Sequence, residues 1–327
     1  MGSKRLNYID MSKGIAILLV VFGHISQVTD NMKILIYAFH MPIFFIISGL
    51  MMKHTGIGNK NFLYNLKHKV KTILIPYVSF EFVYTILRMF TKGFTLNNFI
   101  ERFVKESLML KPQIISLWFL IALFVAQIIF MLYLKLNKNV NYFIAICLVF
   151  SFIYVFHIKT ENIYLLIIGQ SLLGMSFLSI GYGCYDLIIN KDISIKYIIM
   201  FFILYFLFSI KNGFVDMRNL VYGNNFILYI LNGVLGSVLL VSITKLCNSK
   251  FLSYFGKNSI IILGTHNIII MILNEIIGLS LFNYKDYIIT FLIVILIEIP
   301  IIEIINRYLP FMIGKFKKKE KVQVISD

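Results

Sequence analysis

Residues 115–134 read ISLWFLIALFVAQIIFMLYL, with no charged side chain and one amide, Gln127. A helix of about 20 mostly apolar residues crosses the hydrocarbon core of a bilayer. Apolar residues fall on every side of this segment, so the alternation expected of a barrel strand is missing. Working outward, the same reading applies to Ser12–Gln27, Ile34–Met52, Thr72–Phe90, Tyr142–Phe156, Ile163–Tyr182, Tyr197–Ile210, Phe226–Leu246, Ser259–Leu273 and Tyr287–Ile305. The sequence therefore predicts an all-α, polytopic membrane protein with about ten transmembrane helices. Composition agrees: 59% of residues are hydrophobic and 14% charged, against about 45–50% and about 25% in soluble domains. Lipid removes the need for polar surface cover.

The net charge of +16 would suit nucleic acid, but its placement argues against that partner. With the N-terminus in the cytoplasm, 21 of the 31 Lys and Arg residues fall on inner segments. Half of the remainder lie in the single outer segment Arg88–Lys111. This is the positive-inside pattern of a multi-pass plasma-membrane protein, here with both termini cytoplasmic. The first apolar segment lacks a small-residue cleavage site and reads as a retained helix. One integral membrane domain over 1–327 is expected, with a basic tail at about 314–327 near lipid headgroups. Thr91–Ile114, with Glu101, Arg102, Lys105 and Glu106, reads as an amphipathic surface helix. Cys147, Cys184 and Cys247 fit no metal or redox spacing and read as small apolar fillers.

Ionisable groups inside a membrane are costly, which makes each a candidate functional site. Three histidines fall within spans: His24, His40 and His266. Glu81 and Glu298 share their intermediate depth. Lys13 and His24 are eleven residues apart, almost three turns, so they share a stripe about 16 Å long. No two of the three histidines lie on one helix, which argues against a metal site. Tyr77, Glu81, Tyr84 and Arg88 form one polar stripe, serving either interhelical hydrogen bonding or a cavity wall. Lys67, His68, Lys69 and Lys71 suit phosphate binding or plain membrane anchoring. Pro42 should loosen the second span next to His40, and Glu303 with Arg307 suggests an ion pair.

The stretch Arg5-Leu-Asn-Tyr-Ile-Asp10-Met-Ser-Lys13-Gly14 through Gly23-His24 resembles the membrane-bound acyltransferase-3 family, especially its fucose-acetylase-like branch of sugar O-acetyltransferases. That family carries a basic residue, ten intervening residues, then histidine; Lys13 and His24 keep the spacing, with Lys where Arg is commoner. Phe39-His40-Met41-Pro42, Ile75-Pro76-Tyr77, Trp118-Phe119-Leu120, Gly256-Lys-Asn258-Ser259 through His266, and Arg307-Tyr-Leu-Pro310 resemble later family segments in order.

The resemblance implies an acyl-CoA donor, commonly acetyl-CoA, and a hydroxyl acceptor on a sugar or cell-envelope polysaccharide. Lys13, Lys67, Lys69 and Lys71 are then the candidate donor-binding groups, and Tyr77, Arg88 and Trp118 the acceptor-side ones. His24 is the candidate general base, with His40 or His266 orienting it and Glu81 holding a histidine or sugar hydroxyls; an acyl-histidine intermediate is the other route. The competing reading is a transporter or exporter of glycan or lipid-linked sugar, since intramembrane His and Glu also suit proton coupling. A non-catalytic scaffold would leave the polar residues scattered.

Overall fold

The computed structural model describes residues 5–26, 28–92, 95–136, 139–158, 160–277 and 287–316. Among them the chain is helical throughout apart from loops and one isolated antiparallel bridge, Asp216 with Val221. Helix α1 (Asn7–Gly23) is followed by α2 (Asp30–Tyr37) and α3 (Pro42–His54). Then come α4 (Phe62–Lys69), α5 (Ile75–Lys92), the short α6 (Leu96–Phe99) and α7 (Trp118–Leu136). The chain continues with α8 (Val140–His157), α9 (Ile163–Gly183), α10 (Tyr185–Ile189), α11 (Ile195–Asn212) and α12 (Phe226–Lys245). It ends with α13 (Lys250–Lys257), α14 (Ser259–Ile277) and α15 (Tyr287–Tyr308).

Eight helical segments among the described residues are long and apolar enough to cross a bilayer, and a ninth is the α13–α14 pair, bent by 80°. The tenth expected span is α1, which at 17 residues is about 25 Å long by helical rise. The second span is not one helix. It breaks at residues 38–41, and Pro42 opens α3 at a position where its missing N–H costs nothing. Helices α4 and α5 are continuous through a π-turn at Val70–Leu74. Pro76 at the second position of α5 explains it, because proline cannot donate to an upstream carbonyl and its ring needs the room. Asn258 marks the α13–α14 bend; its amide donates to Tyr254 O and its carbonyl accepts from Asn306.

The inner helices meet through glycines, as expected where lipid gives no hydrophobic drive and close backbone approach must supply van der Waals contact. A Cβ at Gly49 on α3 would lie 1.9 Å from Leu178 O on α9, and one at Gly181 on α9 would lie 2.2 Å from Ile46 O on α3. Gly14 on α1 and Gly256 on α13 form the equivalent crossing. Helices α8 and α11 stand outside this core. They expose Ile146, Phe150, Phe202 and Ile203, side chains suited to lipid tails.

One expectation from sequence needs correction here. Glu303 and Arg307 do not pair: Glu303 accepts from the Tyr254 hydroxyl and the Arg307 guanidinium lies over the Tyr308 ring. The amphipathic segment is helical over Leu96–Ser107, but its second part is a π-helix, Ile100–Ser107. The lysines of the basic tail, Lys317 to Lys319, lie outside the described residues.

Candidate active site

His24 is the residue that closes α1, and its backbone N–H still bonds to Val20 O and Val21 O. His40 sits in the break between α2 and α3, where Pro42 was expected to loosen the second span. His266 lies within α14. The three rings nevertheless gather. His24 and His266 pack edge to face with centroids 5.0 Å apart, and His24 and His40 line one cavity. His266 lies behind His24, fully buried. The three histidines of the spans thus meet at one place.

All three imidazoles are held alike. Each Nδ1 bonds to the carbonyl four residues back: His24 to Val20 O at 2.8 Å, His40 to Ile36 O at 3.0 Å and His266 to Ile262 O at 2.6 Å. A carbonyl oxygen only accepts, so each Nδ1 carries a proton, and in the neutral ring each Nε2 then keeps a lone pair. The Nε2 of His266 has no hydrogen-bond partner among the described residues. The site therefore offers unprotonated ring nitrogens whose tautomer is set by the backbone.

Two cavities flank these rings. The larger, about 420 Å³, lies beside the first half of α1 and the loop between α3 and α4. Lys13, Lys60, His68 and Lys69 line it, as does Ser259 at the first turn of α14, the positive end of that helix's dipole. The ion pairs among the described residues are Arg5–Asp10, Arg88–Glu275 and Lys245–Asp192, so the three lysines of this chamber have no carboxylate partner there. The smaller cavity, about 120 Å³, lies beside the last turn of α1 and holds His24, His40, Tyr37, Trp118, Asp216 and Arg218. Leu263 lines both cavities. Ile17 on the first and Val20 on the second are one turn apart on α1, and Phe119 and Trp118 are adjacent on α7. The partition between the two cavities is therefore about one side chain thick, and His24 stands beside it.

The structure distributes the other sequence candidates unevenly. Lys13 and Lys69 reach the larger cavity, while Lys67 and Lys71 do not line it; both are exposed, and Lys71 lies over the Phe316 ring. Trp118 lines the histidine cavity. Glu81 does not touch a histidine. Its carboxylate is fully engaged, accepting from Ser107 Oγ at 2.8 Å and from the backbone N–H groups of Gln113 and Ile114 at 3.1 Å each. Tyr77 donates to Ser107 O at 2.7 Å. Arg88 lies 3.7 Å from Glu275 and contacts Met271. The polar stripe of α5 thus braces the segment before α7 and the end of α14. Glu298, buried on α15, bonds with the Thr265 hydroxyl next to His266 and so fixes α14 to α15. Among the described residues no group of three or more His, Cys, Asp or Glu side chains is placed to hold a metal ion.

Lys60, Asp216 and Arg218 escape sequence reading, because each sits in a loop whose neighbours are fixed only by tertiary packing.

The candidate site is therefore a histidine-lined polar cavity with a lysine-lined cavity across a thin partition. A family model described as an acyltransferase domain matches residues 6–306, and the chain belongs to that acyltransferase-3 family: it is a membrane acyltransferase. No curated protein and no solved structure gives a match.

Proposed function

We propose that this protein is an O-acyltransferase of the plasma membrane that moves acetyl from acetyl-CoA to a hydroxyl of a cell-envelope sugar or polysaccharide. This places it with the sugar O-acetyltransferase branch of its family. The observation that carries the reading is His24: a ring nitrogen with a free lone pair beside the thin partition between a cationic chamber and a second polar cavity. Acyl-CoA is made in the cytoplasm and carries several phosphate charges. The chamber lined by Lys13, Lys60 and Lys69 suits them, which supports a cytoplasmic orientation for the face that carries it and for both termini.

In this reading the acceptor hydroxyl donates its hydrogen bond to His24 Nε2. Its oxygen attacks the thioester carbonyl carbon as the proton passes to Nε2. The carbon–sulfur bond then breaks, and the departing thiolate takes the proton back from the imidazolium, leaving the neutral ring and free CoA. The Nδ1–H···O bond to Val20 holds the ring in the base-competent tautomer throughout and supports the transient positive charge. His266, packed on His24, holds the ring in place.

The test is transfer of radiolabel from acetyl-CoA to an envelope glycan fraction by membranes with and without the protein, with mass analysis of the product. We expect a glycan heavier by one acetyl group. We also expect Lys69→Gln to raise the half-saturating acetyl-CoA concentration about tenfold, the loss of one desolvated phosphate contact of roughly 1.4 kcal/mol. An unmodified glycan at saturating donor, from protein shown to be folded, contradicts the proposal.

A further inference from the structure

Residues 213–225, between α11 and α12, make a small hairpin that is more tightly built than a simple connection requires. Asp216 and Val221 exchange both backbone hydrogen bonds, at 2.8 and 2.9 Å. Leu220 takes a left-handed conformation with φ 57°, a strained choice for a branched residue. Asp216 Oδ1 accepts from the Arg218 N–H and Oδ2 from the Asn219 amide. Gln170 on α9 donates to Arg218 O at 2.6 Å, and Asn212 at the end of α11 clamps Tyr222 O and the Asn225 N–H. Gly223, at φ 75°, lets Asn212 approach to where a Cβ would be 2.3 Å from its carbonyl oxygen.

All this backbone bonding fixes two charged side chains at the histidine cavity. Asp216 and Arg218 both line it, are partly exposed, and do not pair with each other. The Arg218 guanidinium makes no hydrogen bond or ion pair with any described residue, so its donors are available. Each Asp216 oxygen has used one lone pair and retains another. Tyr37 and Trp118 add aromatic surface to the same cavity. On α12, which follows the hairpin, the Tyr229 hydroxyl and the Asn232 carbonyl oxygen are buried with no partner among the described residues.

We infer that the 216–221 hairpin is the acceptor-recognition element, in which Asp216 accepts from one hydroxyl and Arg218 donates to the neighbouring oxygen of a neutral, polyhydroxylated ring laid against Tyr37 and Trp118. An acceptor and a donor of opposite charge suit adjacent hydroxyls, whereas an acidic ring would meet the Asp216 carboxylate at close range. The hairpin lies away from the lysine chamber, so donor and acceptor enter from different faces. This inference rests on the acyl-transfer reading for its chemistry but not for its binding claim.

The experiment uses the purified full-length protein and fluorescently labelled oligosaccharides cut from envelope glycan of the producing cells. Arg218→Gln is the cleaner variant because the guanidinium supports nothing in the fold; Asp216→Asn is the second, keeping one acceptor for the Arg218 N–H. Both should weaken oligosaccharide binding at least tenfold, measured without donor, and raise the half-saturating acceptor concentration in transfer by the same factor. The half-saturating acetyl-CoA concentration should not move. His24→Ala should lower transfer by about 10²–10⁴-fold while weakening oligosaccharide binding less than either hairpin variant does, which separates failure of the chemistry from failure of the recognition element. Oligosaccharide binding within twofold of the unaltered protein in both variants, or a shift in the donor concentration instead, overturns the assignment.

Discussion

Replacing His24 by alanine should lower acyl transfer by about 10²–10⁴-fold, the usual contribution of a positioned general base. The expected split is specific. The ring closes α1 but is not needed to form it, because the backbone N–H of residue 24 keeps its bonds to Val20 and Val21 whatever the side chain. The variant should therefore fold, bind acetyl-CoA in the lysine chamber and bind acceptor, yet turn over slowly. His266→Ala removes a packed neighbour rather than the base. It should cost less, on the order of tenfold, by loosening the 5.0 Å edge-to-face contact that fixes the His24 ring. Initial rates with labelled acetyl-CoA at saturating acceptor, on protein checked by size-exclusion chromatography, decide both values. Equal rates for His24→Ala and the unaltered protein would remove His24 from the chemistry.

The second large effect is on the fold. Gly256→Ala would put a methyl carbon 1.7 Å from Asp10 O and 2.6 Å from Asp10 C; Gly14→Ala would put one 2.0 Å from Leu252 O. The obstructing atoms are backbone, so no rotamer change clears them and the helices must part. Overpacking of this kind costs about 1–3 kcal/mol and occasionally more, and with backbone on the far side we expect about 3 kcal/mol or more. Both substitutions should lower the thermal unfolding midpoint in detergent by several degrees and reduce folded yield. Gly58→Ala is the control. Its nearest neighbour would be the Leu134 side chain at 3.7 Å, an ordinary contact, and its midpoint should hold. Because α1 carries both Lys13 and His24, the α1–α13 crossing also sets the register between donor chamber and base, so residual transfer should fall with stability.

The spans could be read from sequence because lipid imposes a simple rule: every backbone group must be satisfied within the segment, over a fixed thickness. That rule gives helix positions but says little about where a helix is interrupted. The break before Pro42 was indicated by the proline itself. The bend at Asn258 was not, since it depends on Asn306 from a distant helix. In the site, the placing of Lys13 and His24 along one helix was visible because spacing there converts directly to distance, whereas their lining of different cavities was not. His40 and His266 were visible as costly polar groups, although their meeting with His24 is a tertiary fact. The same cost argument misled at Glu81. A buried carboxylate is as readily a brace as a catalyst, and only its three donors, Ser107, Gln113 and Ile114, distinguish the two. The cluster Lys67 to Lys71 was legible as basic, but helical phase sends only Lys69 and His68 into the cavity. Lys60, Asp216 and Arg218 carried no signal, because a charged loop residue looks alike in sequence whether it meets solvent or a site.

General-base chemistry at His24 requires the proton on one particular ring nitrogen. Nitrogen-15 spectra of histidine-labelled protein in bilayers report this directly, with the His24 signal assigned by its loss in His24→Asn. We predict a protonated Nδ1 and a bare Nε2 at neutral pH; a proton found on Nε2, with Nδ1 bare, would contradict the mechanism at its first step.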